Sequence, residues 1–209
     1  MTAPFLVATR SAGKRKEIVQ ILRDIPYRLV FPEDVGLVES GEEERLETAD
    51  SFEGNARRKA EYFARLAGLP TAADDSGIEV FSLGGQPGVR SRRFALVSGP
   101  PDQQDAANNA ELLKRLAGAS APRRRARYRC VIAYFSRPDA IPMTFEGTCL
   151  GAIAQGPRGN GGFGYDPLFL SDDLGKTFGE ATPDEKHAVS HRGRAFRALG
   201  QWLQGHPVR

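Results

Sequence analysis

The residues best suited to chemistry are Asp74 and Asp75, within Thr71-Ala72-Ala73-Asp74-Asp75-Ser76-Gly77. Adjacent carboxylates raise each other's pKa unless cations or hydrogen-bond donors compensate. In an extended backbone, neighbours point to opposite faces, so one carboxylate can reach a substrate while the other braces the segment. The plainer reading is an Asx-turn into Gly77. Glu47, in an acidic stretch over 32–49, is a further oxygen donor. Few carboxylates, completed by waters and phosphate oxygens, is the usual way of holding Mg²⁺.

Cations complement these acids. Lys14, Arg15 and Lys16 crowd a helix start beside Thr9, Ser11 and Gly13. Free N–H groups and a lysine there make an anion site, although the glycine spacing is not that of a P-loop. A solvated basic turn is the alternative. Asn55 and Lys59 stand four apart, on one helix face. Lys186, His191 and Arg192 gather around a second helix start near Ser190. The segment Gly159-Asn160-Gly161-Gly162-Phe163-Gly164-Tyr165-Asp166-Pro167 places aromatic faces and an acceptor among glycines that let backbone approach a ligand. Phosphates on lysines and N–H groups, a metal on carboxylates and a base on an aromatic ring together describe a nucleotide.

The elements that must position these residues follow from periodicity and turn chemistry. Strands are predicted over 4–8 and 27–31. Helices are predicted from Lys14 onward, from about Ser51 to Ala67, over Asp102–Ala117 and from Ser190. Arg127–Phe135 and Met143–Ala152 read as an antiparallel pair. Thr182-Pro183-Asp184-Glu185 fits a capping box with proline at the first helical position. The expectation is a single α/β domain over residues 1–209, with an elongated mixed sheet, flanking helices and two lobes around a central nucleotide-binding cleft.

The chain has 209 residues, 40% of them hydrophobic, and a net charge of +3, which suits a folded domain and argues against disorder. Its apolar runs are too short for a membrane span, its start does not read as a signal peptide, and the expected location is cytoplasmic. Cys130 and Cys149 form no CxxC pair, and the three histidines lack zinc spacing. The Arg123-Arg124-Arg125 run, with Arg127 and Arg129, alternates with Tyr128 and Cys130. That pattern favours a strand with one solvated face over a nucleic-acid surface.

In this order the blocks resemble the inosine/xanthosine triphosphate pyrophosphatases, the Ham1-like family. They are Val7–Lys14, Ser51–Ala56 with Lys59, Ala73–Gly77, Leu83–Val89, Gly162–Pro167, Glu185-Lys186 and Ser190-His191-Arg192. The resemblance implies a two-lobed α/β homodimer that uses Mg²⁺ to cleave ITP, dITP and XTP to monophosphate and pyrophosphate, with no nucleic-acid or membrane partner. It assigns Thr9, Arg10, Ser11, Lys14, Asn55, Lys59 and Ser76 to the substrate and its phosphates. Asp75 matches the catalytic carboxylate, and Glu47, Asp74 and Asp75 become the candidate metal ligands. Phe163, Gly164, Tyr165, Asp166, Lys186, His191 and Arg192 match the nucleotide and base contacts. Ser11 stands where the family usually has asparagine, and Gly54 where it often has glutamate. Two rival readings are a pyrophosphatase for modified pyrimidine nucleotides and a nucleic-acid binder using the Arg123–Arg129 face.

Overall fold

The computed structural model describes residues 2–206. Six strands form one sheet in the order β2-β1-β3-β4-β5-β6. They are β1 (Pro4–Val7), β2 (Arg28–Val30), β3 (Thr71–Val80), β4 (Arg125–Phe135), β5 (Met143–Ile153) and β6 (Phe169–Ser171). Both β2 and β3 run parallel to β1, whereas β6 runs antiparallel to β5. Helices α1 (Ala12–Ile21), α2 (Phe52–Ala67), α3 (Pro101–Arg115), α4 (Pro183–Val189) and α5 (His191–Gly205) complete a mixed α/β fold. Among the described residues no helix is long and apolar enough to cross a membrane.

Contacts divide the chain into two compact units. The first comprises Met1–Asp75, Cys130–Gly147 and Arg192–Arg209, and the second Ser76–Arg129 and Thr148–His191. In the first unit the strands bury both faces. Phe5, Val7, Ala72, Cys130 and Ile132 pack with Ile18 and Leu22 of α1 and with Phe196 and Leu199 of α5. Leu6, Ala8, Ala73 and Ala133 pack instead with Ala56, Ala60, Phe63 and Ala64 of α2. This is the two-residue period of a strand whose two sides are both covered. The second unit has its own core, in which Ile78, Val80, Leu112, Tyr128, Phe169 and Phe178 meet.

Local signals set the helix ends. Ser11 caps α1 and Ser51 caps α2, their hydroxyls accepting from Lys14 N at 3.4 Å and Gly54 N at 3.1 Å. Helix α2 stops at Gly68, whose φ of 66° is left-handed. The capping box of Thr182 and Glu185 forms as its sequence predicts. No Asx-turn interrupts Asp74-Asp75, because β3 continues through both to Val80.

The expected strand forms, with half-buried Arg125, Arg127 and Arg129 alternating with buried Ala126, Tyr128 and Cys130, and only Arg124, just before β4, departs from a wetter face. Arg124 is buried, and its guanidinium donates to the carbonyls of Ile153, Leu116 and Ala154 at 2.7–2.9 Å. Arg125 forms a two-pronged pair with Asp172, and Arg127 is bound by Glu79. These carboxylates neutralise much of the positive charge that nucleic acid would need.

Candidate active site

In the first unit, strand alternation separates the two aspartates. Asp74 shares its face with Ala72 and Cys130, towards α1 and α5. Asp75 shares its face with Ala73, towards α2. The carboxylate of Asp74 has no exposure to solvent, and its Oδ2 lies 3.0 Å from Lys14 Nζ and 3.6 Å from Arg192 Nε. The thiol of Cys130 is 3.9 Å from the same oxygen. Asp75, 7% exposed, accepts a 2.8 Å hydrogen bond from the Asn55 amide. Asn55 Oδ1 in turn accepts from Ala49 N at 2.8 Å. Lys59 donates to Glu47 Oε1 at 2.9 Å and to the Asp74 carbonyl at 2.6 Å.

The neighbours titrate in opposite directions. Burial pushes Asp74 up, but Lys14, Arg192 and Lys59 overcome it and hold the carboxyl well below its ordinary range. Burial also pushes Asp75 up, and there it prevails, because Lys59 and Lys14 are opposed by Glu47. Burial lowers Lys59, yet Glu47, Asp74 and Asp75 reverse this and keep the ammonium firmly charged. Divergent environments on adjacent acids are the mark of divided roles.

Other sequence-predicted residues of the first unit are bonded to protein groups. Arg10 is committed to the acidic segment, with Nε and Nη2 on Glu43 at 3.1 and 2.7 Å and Nη1 on Glu33 and the Leu37 carbonyl. It clamps that segment with its donors turned to protein oxygens. The Ser11 hydroxyl serves as the α1 cap, while Thr9 is buried and its Oγ1 accepts from Ser11 N at 3.3 Å. Arg192 stands beside Asp74 within the first unit: it is 3% exposed and its Nη1 binds Glu17 of α1. Asp74, expected among the metal ligands, faces cations. Gly54 is explained by packing, since a Cβ there would lie 2.8 Å from that of Ala49.

In the second unit the glycine-aromatic segment is held from several sides. Asp166 Oδ2 accepts from Phe163 N at 2.8 Å and is paired with Lys186 Nζ. Both side chains are almost fully buried. The Lys186 ammonium sits 5.0 Å from the Phe163 ring centroid. Gly162 has φ of +74°, and a Cβ there would fall 2.0 Å from Asp166 Oδ2, so glycine is required on both counts. Tyr165 donates its hydroxyl to the Ser91 carbonyl at 2.8 Å. His191 is buried and stacked on Tyr128, with centroids 4.4 Å apart and planes 4° from parallel. Lys186 belongs to the last turn of α4, where a cation suits the helix dipole, and not to the start of α5. Ser76 follows Asp75 on β3, half-buried.

Sequence reasoning missed Glu17, Asp105 and Asn109. Glu17 is three residues after Lys14 and so shares its helix face. Asp105 and Asn109 of α3 both bond Gly164, at 2.7 and 2.9 Å. Their four-residue spacing is the one signal that could have linked them.

The two units thus each hold one cluster. One is a carboxylate–lysine group suited to phosphate chemistry, and the other an aromatic segment stiffened by a buried ion pair. Comparison with known proteins gives the same frame. The dITP/XTP pyrophosphatase of Geobacter sulfurreducens is 45% identical over 198 residues, covering 95% of each chain. That of Syntrophobacter fumaroxidans is 45% identical over 197 residues, covering 94% of this chain and 80% of its own. The solved HAM1 protein of Coxiella burnetii superposes with a TM-score of 0.84 at 34% identity, over 97% of this chain and 99% of its own. With the Ham1 family pattern matched across residues 5–202, this chain belongs to the Ham1 family.

Proposed function

We propose that residues 1–209 act as one nucleoside triphosphate pyrophosphatase that hydrolyses ITP, dITP and XTP to the monophosphate and pyrophosphate. The relatives named dITP/XTP pyrophosphatases support the substrate class. The observation that carries the chemistry is the placement of Asp75, held by Asn55, beside Lys59, with its neighbour Asp74 buried against Lys14 and Arg192 on the opposite strand face. Asp75 orients a water and takes its proton, as a carboxylate with a raised pKa does efficiently. Asn55 fixes the rotamer of Asp75 through its 2.8 Å bond. Lys14 and Lys59 meet the charge that develops as pyrophosphate leaves. Asp74 is the fixed counter-charge that holds Lys14 and Arg192 in place.

The donors suit a hard divalent cation. Glu47 and Asp75 offer carboxylate oxygens, and no group of three or more acidic, histidine or cysteine side chains among the described residues is disposed to hold a metal alone. Two protein carboxylates completed by water and phosphate oxygens is a magnesium arrangement. When bound, Mg²⁺ supplies charge neutralisation at the phosphates and lowers the pKa of a coordinated water.

The base is taken by the second unit's aromatic segment, with Phe163 as a ring face and Lys186 or His191 as donor to O6. Adenine presents an amine at that position, and leaving buried donors unmatched discriminates strongly. The working form is a cytoplasmic homodimer. Measuring pyrophosphate release across ITP, dITP, XTP, ATP, GTP and modified pyrimidine triphosphates, with and without Mg²⁺, tests the reading. Turnover confined to the pyrimidine nucleotides, or no release from any, would sink it.

A further inference from the structure

The segment from Gly162 to Asp166 contains a peptide held by a separate helix. Asp105 and Asn109 stand one turn apart on α3 and grip the two polar ends of Gly164. Asp105 Oδ2 accepts from Gly164 N at 2.7 Å, and Asn109 Nδ2 donates to Gly164 O at 2.9 Å. Gly164 has φ of +64°, and a Cβ there would meet no atom within 4 Å. Glycine serves there for its backbone angle and not for lack of space. The aromatic neighbours Phe163 and Tyr165 take their bearing from this peptide. A rotation of it would move the Phe163 ring relative to the Lys186 ammonium.

A second observation sets Asn109 apart from ordinary helix surface. Its Oδ1 is buried and has no hydrogen-bond partner among the described residues. A buried acceptor without a partner costs stability, and native structures hold few of them. An aliphatic side chain would avoid that cost. Asn109 is therefore placed for its amide grip on Gly164, at the expense of stability.

We propose that Asp105 and Asn109 are positioning residues for base selection. Together they fix the Phe163-Gly164-Tyr165 peptide in the orientation that accepts an oxo-purine. This rests on reading the aromatic segment as the base site. Neither residue touches the reacting phosphates, so their effect falls on substrate recognition and not on the chemical step.

The test compares the unaltered protein with Asp105→Ala, Asp105→Asn and Asn109→Leu, assayed with ITP and ATP and by thermal denaturation. Asp105→Ala and Asn109→Leu should each raise KM for ITP about tenfold, the worth of one good hydrogen bond, with kcat within about threefold. The kcat/KM preference for ITP over ATP should narrow by a similar factor. Asp105→Asn keeps an oxygen facing Gly164 N and should restore KM to within about threefold of the unaltered protein. Asn109→Leu removes the unpartnered oxygen and should leave Tm within about 4 °C. Unchanged KM and selectivity in Asp105→Ala and Asn109→Leu would overturn the inference. So would kcat and Tm falling together while the ITP:ATP ratio holds, which is what a merely structural role predicts. Absence of pyrophosphate release from ITP by the unaltered protein would overturn the functional reading itself, before any variant is compared.

Discussion

The two clusters solve the same problem, the fixing of polar groups inside a protein, by different means. The first-unit cluster uses charge density: Asp74, Asp75 and Glu47 are interleaved with Lys14, Lys59 and Arg192, and the backbone there is ordinary strand and helix. The second-unit cluster uses backbone conformation. Gly162 and Gly164 adopt left-handed angles, and the buried pair Asp166–Lys186 holds the segment together with Asp105 and Asn109. Charge networks suit a site that must meet a triphosphate whatever base it carries. A stiff, shaped peptide suits a site that must tell one base from another.

Replacing Asp75 by Asn gives the sharpest contrast. The amide can still accept from Asn55, so the pocket keeps its shape while the base is lost. Turnover should fall by roughly 10²–10⁴-fold with ITP affinity retained, as read by pyrophosphate release and by calorimetric binding to the variant. Equal turnover would remove Asp75 from the reaction and leave the first unit a binding site only.

Asp74→Asn should separate the neighbours by stability. Asp74 neutralises buried cations, and removing one member of such a network costs about 3–5 kcal/mol. Asp75 carries a raised pKa, so its charge opposes folding near neutral pH, and Asp75→Asn should be neutral or stabilising. Urea unfolding in the presence of a chelator measures both. The pH signs differ likewise. The contribution of Asp74, whose folded pKa is depressed, is complete above its unfolded value of about 4 and is lost as pH falls below that towards the folded value. The penalty from Asp75 is instead relieved as pH falls through its raised folded value. Destabilisation of the same size in both variants would mean the two carboxylates are not divided as described.

Much of this was legible in the chain. Adjacent aspartates on extended backbone foretell opposite faces, whereas the glycines around Phe163 signal close backbone approach but not which of them turn left-handed. Partners distant in sequence were not legible. Glu17 reads as an ordinary helix glutamate, and nothing local ties it to Arg192, 175 residues on. Periodicity tells which face of a helix is buried and not what it meets. Hence Asp105 and Asn109 pass for ordinary water-facing side chains of α3, and Arg124 for one more solvated arginine. Lys186 closes α4 and does not open α5, a distinction the chain hides because a single residue, Ser190, separates the two helices.

Arg10 tests how far the first cluster depends on its surroundings. Its guanidinium ties Glu33, Glu43 and the Leu37 carbonyl, in the acidic segment that leads to Glu47. Arg10→Ala should lower kcat/KM for ITP about tenfold, and Arg10→Lys should recover only part of that, because an ammonium cannot reproduce the two-pronged bond to Glu43. Full activity in Arg10→Ala would show that the segment places Glu47 without the clamp.

The smallest expected effect comes from comparing two lysine–carboxylate pairs within the second unit. Lys186–Asp166 is buried against the Phe163 ring, whereas Lys176–Glu185 lies at the surface. Lys176 and the Thr182 backbone hold the Glu185 carboxyl down to about 2, yet solvent surrounds the pair, and exposed ion pairs contribute little. Lys186→Gln should raise KM for ITP about tenfold, because Asp166 loses the cation that steadies its grip on Phe163 N. Lys176→Gln should leave KM unchanged and move Tm by no more than about 2 °C. The pair's contribution is also confined by pH: with a depressed carboxyl it is complete above the unfolded value of about 4.5 and fades as pH falls from there towards about 2, so an assay at pH 5 should show no added difference between Lys176→Gln and the unaltered protein. Should the surface pair move KM as much as the buried one, rigidity in this unit would come from charge, as in the first, and the distinction between the two clusters would fail.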